Sequence, residues 1–450
     1  MNLTVKQKYK ALKKYLKTKL IKDKPVSILD YQDLVTDENK IWTSAINKAL
    51  EDNACIYIPK GKYFIDSSII VPSNRRIIAH KDAEICTILS CKKVSLRTDC
   101  VIDGSYRVIG DDEPRTENVF IEGGLWSTEH NKRGIYGGNG AYDDEDSLHG
   151  VHAGMLFSGV RNLWVKNVKF KHVSTFAIQV GRTENFLIEG LKFDECFADG
   201  VHLNGDIKNG VVINCKGEAG DDLVAMNAYD WPNSTINNGS IQDLTVANII
   251  STGREFNLMR LAPGVLSEKD GGIDCFIKNV HISNIQGVCT YKMYLQTPSY
   301  VGTPEGTTVG RMENVVFENL KLVKEVPSDG TDNYQKGDPV TGHYGVFELC
   351  SNIESVTFKN VNATINFEKY PITAHFMTVG PKSFYIPESN VEIFDPYVNA
   401  TIKCIYYKNL KINGKKVQDL KDHIKFVEFN NLYPSEYSTG SGKVEKIIKL

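Results

Sequence analysis

Trp164-Val165-Lys166-Asn167-Val168 is followed by Leu187-Ile188-Glu189-Gly190-Leu191, and that by Val211-Val212-Ile213-Asn214-Cys215. Each stretch is a short alternating apolar run, then Asn or Gly, then one more apolar residue. Asn167 to Gly190 is 23 residues, and Gly190 to Asn214 is 24. The pattern returns at Thr245-Val246-Ala247-Asn248-Ile249, Phe276-Ile277-Lys278-Asn279-Val280, Val316-Phe317-Glu318-Asn319-Leu320, Thr357-Phe358-Lys359-Asn360-Val361 and Tyr406-Tyr407-Lys408-Asn409-Leu410, with spacings of 31 and more where loops intrude. β-rich units at such a period read as coils of a solenoid, each burying its faces on its neighbours. Asn at a fixed turn position tolerates the left-handed backbone and hydrogen-bonds along a stack. The alternation sends successive side chains inside and outside the coil. Amphipathic helices are almost absent between the runs, which argues against an α/β barrel or a doubly wound sheet. The expected fold is all-β, a parallel β-helix.

Upstream, Ile28-Leu29-Asp30-Tyr31 reads as a short strand. Asn39 to Leu50 reads as a helix with Trp42, Ala45, Ile46 and Ala49 on one face, and Cys55 to Tyr63 as a strand ending in a Pro/Gly turn. A solenoid's open end exposes strand edges, so a helix here serves as a cap. The segment Tyr57-Ile58-Pro59-Lys60-Gly61-Lys62-Tyr63 after that helix resembles the N-terminal segment of the pectate-lyase-like superfamily. That resemblance implies a right-handed parallel β-helix as a single-stranded solenoid. The chain divides into a basic helix at 1–24, a β-helix domain at 25–433 and a polar tail at 434–450.

Met1 to Lys24 carries nine lysines, and Val5, Tyr9, Leu12, Leu16 and Leu20 recur at helical steps. This is an amphipathic basic helix, read as packing on the main body rather than docking on a membrane. No apolar run suits a secretory signal or a membrane span. The formal net charge of −2 supplies no basic field for nucleic acid. The 10 cysteines occur singly with no CxxC, so no zinc ribbon is expected, and a reduced, cytoplasmic protein is. Cys196, Cys215, Cys275 and Cys404 fall in apolar stretches and read as small hydrophobes.

Loops cluster at Ser127–His149, Ala228–Gly239, Pro298–Val309 and Glu325–His343. Solenoid insertions gather on one face and build the binding site. Asp199 in Ala198-Asp199-Gly200 and Asp222 in Gly220-Asp221-Asp222 lie 23 residues apart, one coil. They are therefore expected to stack, with Asp221 beside them. Crowded carboxylates raise the pKa of at least one member, and an acid beside a base is what glycoside hydrolysis uses.

This pair of motifs resembles that of glycoside hydrolase family 28, the polygalacturonase family, whose Asn-Thr-Asp is followed one coil later by Gly-Asp-Asp or Gln-Asp-Asp. The resemblance implies Asp221 as general acid, Asp199 and Asp222 activating water, and an inverting reaction. The family's Gly-His-Gly and Arg-Ile-Lys motifs have no counterpart: the matching regions read Thr252-Gly253-Arg254-Glu255-Phe256 and Tyr291-Lys292-Met293-Tyr294-Leu295-Gln296-Thr297.

Aligning Val201, Val224, Met259 and Met293 puts Gln179, His202, Ala225, Arg260 and Tyr294 in one outward column. His202, Arg260, Lys292 and Tyr294 are read as substrate-binding, as are Tyr229 and Trp231 in the loop that follows. Arg260 reads equally as a salt-bridge partner of the aspartates. Asp143-Asp144-Glu145-Asp146 reads as a solvated acidic loop, and His149 with His152 finds no third ligand, so neither a metal nor a cofactor is expected. The function expected is hydrolysis of an oligosaccharide, with an oligosaccharide as partner and a homo-oligomer left open. A polysaccharide lyase, an intramolecular glycosyl (fructo-)transferase and a non-catalytic glycan-binding solenoid are the alternatives.

Overall fold

The alternating runs form strands, and strands one repeat apart pair in parallel. Phe186, Leu187 and Ile188 stand opposite Leu163, Trp164 and Val165 on one side and Gly210, Val211 and Val212 on the other. The computed structural model describes residues 3–36, 40–91, 94–104, 109–129, 153–230, 234–252, 257–265, 273–289, 293–296, 310–325, 343–366, 373–380, 400–426 and 442–450. Among these, the repeat strands build a long first sheet. Between visits to it, the chain contributes one strand at a time to a second sheet. Phe176–Gly181, Val201–Asn204, Asp222–Asn227, Asn257–Ala262 and Met293–Gln296 are five consecutive members of that second sheet. The chain thus winds from sheet to sheet, and the winding stacks like residues from successive coils. Phe170 and Phe193 lie parallel at 5.9 Å, as do Phe317 and Phe358 at 5.3 Å, inside one continuous apolar core.

Two asparagine ladders mark the bends of the first sheet. Asn167, Asn214, Asn248, Asn284, Asn319, Asn360 and Asn409 all hold φ between 53° and 60°, the left-handed region. Neighbours exchange amide hydrogen bonds, Asn248 to Asn214 at 2.8 Å, Asn284 to Asn248 at 3.0 Å and Asn360 to Asn319 at 2.9 Å. A second ladder runs through Asn74, Asn118, Asn162, Asn185 and Asn209 and resumes with Asn279 and Asn314. Asn279 therefore belongs to this second ladder, and the run 276–280 is not a member of the series of Asn248 and Asn319. Its true counterpart is Ile282-Ser283-Asn284-Ile285, because Thr245 pairs with His281. Both ladders show the same Asn-after-apolar signature, five residues apart, and sequence alone does not tell them apart.

Near the start, α2 spans Thr43–Asp52, with Ala45, Ile46, Ala49 and Leu50 buried against the first coil. Ile28–Leu34 is a 3₁₀ helix and not the expected strand. The Ser27 hydroxyl accepts from Leu29 N at 3.2 Å and turns the chain there, leaving Val26–Ser27 as the strand. The N-terminal helix α1 spans Val5–Lys19 and begins in a capping box between Thr4 and Gln7. Its Leu12 and Leu16 are buried against Phe120, Trp164, Leu187 and Val211, which face outward from the first sheet. Each such burial stabilises by roughly 1.5–3 kcal/mol. Lys13 adds an ion pair to Glu189 at 2.8 Å. At the other end Gly442–Lys449, expected as polar tail, is a strand paired in parallel with Ala400–Lys408. Its half-buried Val444 and Ile447 stand three residues apart among Lys443, Glu445, Lys446 and Lys449, so the strand carries no period-2 apolar signal. Cys196, Cys215 and Cys275 are buried, and burial pushes the thiols of Cys196 and Cys215 up to about 12. Among the described residues no helix is long and apolar enough to cross a membrane.

Candidate active site

The register of the second sheet assembles the acid cluster. Val201 pairs with Val224, so Asp199 and Asp222 occupy equivalent places on adjacent coils. Two glycines let those coils nest. A Cβ on Gly220 would stand 2.4 Å from Phe197 O, and one on Gly200 would stand 2.7 Å from Leu223 O. With both glycines in place, Gly200 N donates to Asp222 O at 2.9 Å, and Asp222 N donates to Asp199 Oδ1 at 3.1 Å. One carboxylate oxygen each from Asp199, Asp221 and Asp222 lies within 4.8 Å of the other two.

Exposure divides the trio. The Asp221 side chain is 18% exposed, against 3% for Asp199 and 0% for Asp222. Asp221 is therefore the member that meets solvent. Arg260 Nε stands 2.8 Å from Asp222 Oδ2, and its Nη2 is 3.6 Å from Asp221 Oδ1. The guanidinium supplies the positive charge that the cluster needs. His202 Nδ1 lies 2.6 Å from Asp199 Oδ2, and His202 Nε2 lies 3.0 Å from Asp230 Oδ2. Burial pushes the Asp199 carboxyl up; the His202 hydrogen bond opposes this and Asp221 adds to it. Burial alone would lower His202, but its hydrogen bonds to Asp199 and Asp230 outweigh that and raise it to about 9.

The predicted column is realised in register: Gln179 pairs with His202, His202 with Ala225, Ala225 with Arg260, and Arg260 with Tyr294. Its expected exposure is not. Gln179 and His202 are 0% and 1% exposed. Ile236 from the loop after Asn227 packs with Leu156, Phe176 and Ala198 over this part of the sheet. His202 is thus an internal group behind Asp199 and not a surface contact for substrate. Tyr229 is half-buried on the core, its ring lying where a Cβ on Gly264 would fall, 1.9 Å from Tyr229 Cδ1. Arg260 reaches both the surface and the aspartates, so both of its readings share one geometry. Trp231 and Lys292 lie outside the described residues, as do 130–152, which include the acidic run 143–146 and His149 with His152. Tyr294 is described as a strand residue without its side chain.

Sequence reasoning missed Asp230 as a partner of the cluster. It comes from a loop and not from the repeat, so no spacing pointed to it. The inverting stereochemistry finds no support in the separation: carboxylate oxygens within 4.8 Å stand closer than the roughly 6.5–9.5 Å that inverting pairs keep for a water. A cavity of about 780 Å³ lies away from the cluster, between α1 and the first sheet, lined by Lys8, Leu12, Tyr15, Asp243, Thr245 and His281. It brings together no group of carboxylates like that at Asp221, so the cluster is the better candidate.

No protein-family model matches the chain, and no curated protein matches it. Solved structures do. The chain is similar to bacteriophage phi29 gene product 12 in its pre-mature form, at 13% identity and TM-score 0.53, covering 86% of this chain and 52% of that one. It is also similar to a tailspike protein double mutant of E. coli bacteriophage HK620, at 12% identity and TM-score 0.52, covering 86% and 63%. A family 28 exopolygalacturonase of Yersinia enterocolitica matches at 12% identity and TM-score 0.51, covering 86% and 71%. Likeness at such identity concerns the fold. With the parallel registers, it supports placement among the right-handed β-helices.

Proposed function

We propose that the protein hydrolyses glycosidic bonds in an oligosaccharide and that Asp221 is the group that meets the sugar. The observation that carries this is the trio of carboxylates within 4.8 Å, of which Asp221 alone is substantially exposed. In the reaction, water adds at the anomeric carbon and the bond to the leaving oxygen breaks. Asp221 protonates that oxygen, and the Asp199–Asp222 pair takes the proton released by water, a single displacement run with carboxylates closer together than the roughly 6.5–9.5 Å usual for it. The closeness of the three groups then allows the proton to return to Asp221. Arg260 balances charge beside both carboxylates it touches. Family 28 membership would add the polygalacturonase-type substrate; the exopolygalacturonase among the similar structures is in keeping with it.

One observation favours a second reading, a non-catalytic glycan-binding surface. Asp199 and Asp222 are buried and already partnered, as in a network that only stabilises. The two readings separate on one experiment. The protein and Asp221→Asn are incubated with neutral and acidic oligosaccharides, and products are followed by mass and ultraviolet absorbance. Products that gain one water with the native chain and vanish with the variant are expected. Unsaturated, ultraviolet-absorbing products would make it a lyase, transfer without added water a transferase, and binding without turnover a binding solenoid.

A further inference from the structure

Behind Asp199 lies a buried chain of groups that the proposed chemistry does not use. His202 stands between Asp199 Oδ2 at 2.6 Å and Asp230 Oδ2 at 3.0 Å, and all three side chains are at most 3% exposed. A neutral imidazole has one N–H and one lone pair, so it would turn that lone pair toward a carboxylate oxygen on one side. A doubly protonated ring donates to both. One group argues the other way: Asn204 Nδ2 is 3.1 Å from His202 Nε2. The Asn204 amide is held in that orientation because its Oδ1 accepts from Gln179 Nε2 at 2.8 Å and from Ile236 N at 3.2 Å. Two charges outweigh one amide dipole in a buried site, which favours the imidazolium. The Phe176 ring lies parallel to the imidazole at 3.9 Å and suits a cation over its face. Asp230 is itself fixed: its Oδ2 accepts from Asn227 Nδ2 at 2.7 Å, and its N–H donates to Asn238 Oδ1 at 3.3 Å. Beyond this chain, Asp221, Asp222 and Arg260 are the charged groups gathered at Asp199.

We propose that Asp230 is a positioning residue for the acid cluster: acting through His202, it sets the orientation and charge of Asp199 from the loop that follows Asn227. The role rests on the reading of Asp199 as part of a hydrolytic site. It ties loop and cluster into one hydrogen-bonded unit, so the protonation of Asp199 answers to a residue that never meets the sugar.

The test is NMR on the whole chain labelled with ¹⁵N-histidine and ¹³C-carboxyl aspartate, comparing native protein with Asp230→Asn. His202→Gln assigns the ring resonances. In native protein both His202 nitrogens are expected to carry protons at pH 7. In Asp230→Asn the His202 midpoint should fall by about one to three pH units, and the Asp199 midpoint should rise. On a glycan that is turned over, kcat should drop at least about tenfold with KM little changed, and the acid limb of the pH–rate profile should move to higher pH. A bare His202 nitrogen in native protein at pH 7 overturns the proposal even if the variant does not fold. So do unmoved midpoints, or moved midpoints with an unchanged kcat and pH profile. If no glycan is turned over, the hydrolase reading fails by itself, and the two NMR midpoints still decide the positioning.

Discussion

The asparagine ladders of the first sheet and the acid cluster of the second arise from the same translation between coils, yet they meet opposite problems. In the ladder, Asn284 donates to Asn248 and Asn248 to Asn214, each amide offering one donor and one acceptor to its copies. Stacking like on like gives Asn248 both a donor and an acceptor. In the cluster, Asp199 stacks on Asp222, and ionised carboxylates only accept. That stack needs donors and charge from elsewhere: the Asp222 N–H, Arg260 and His202. A repeat is thus self-sufficient with neutral amides, and with acids it must recruit unlike residues: His202 and Arg260 from other strand positions, and Asp230 from a loop behind His202.

Four measurements would break or sharpen that contrast. The largest effect is on turnover: Asp221→Asn should cut glycan hydrolysis by about 10²–10⁴-fold, the usual contribution of a proton donor, while changing stability little. A variant that still hydrolyses would take Asp221 out of the chemistry. Next, Arg260→Met keeps the apolar stem but strands a buried carboxylate, at a cost of about 3–5 kcal/mol in denaturant unfolding. Adding Asp222→Asn to that background should recover part of the loss. A cost under about 1 kcal/mol would mean that Asp222 does not depend on Arg260.

Third comes pH. Against the effect of burial, the carboxylates of Asp199 and Asp230 raise the folded His202 to about 9 from an ordinary 6.5, so between these values the native state keeps a proton that the unfolded chain has released. Its stabilisation is complete below about pH 6.5 and is lost as pH rises through about 9. The loss is on the order of 3 kcal/mol for a shift of this size. Lys8, lowered to about 8 by burial, acts in the opposite sense over the alkaline part of this range. The difference between native protein and His202→Gln isolates the histidine, and a difference that does not vary with pH would contradict the charged ring. Smallest, Asn284→Ala should cost about 1–2 kcal/mol, from the left-handed backbone and the lost amide bond. Asn284→Gly should cost less, since glycine tolerates φ of 57°. Equal costs would place the ladder's value in its hydrogen bonds and not in its backbone.

What the sequence determined by itself was periodicity and everything that rides on it. A 23-residue step between Asp199 and Asp222 meant one coil, and Gln179, His202, Ala225, Arg260 and Tyr294 were placed in the register the sheet adopts. The helix at Val5–Lys19 was legible from its own apolar spacing. Where two signals shared one form, as at Asn279 and Asn284, the period misled, and the charged Gly442–Lys449 offered no apolar period to read. Only the tertiary structure decided that Gln179, His202 and Ala225 in the outward column are covered, that His202 points away from solvent, and that Asp230 completes its environment. The reason is physical. A repeat fixes how residues stack because backbone hydrogen bonds between coils demand it, whereas a loop finds its place by packing and by satisfying buried polar groups, which leaves no spacing to read.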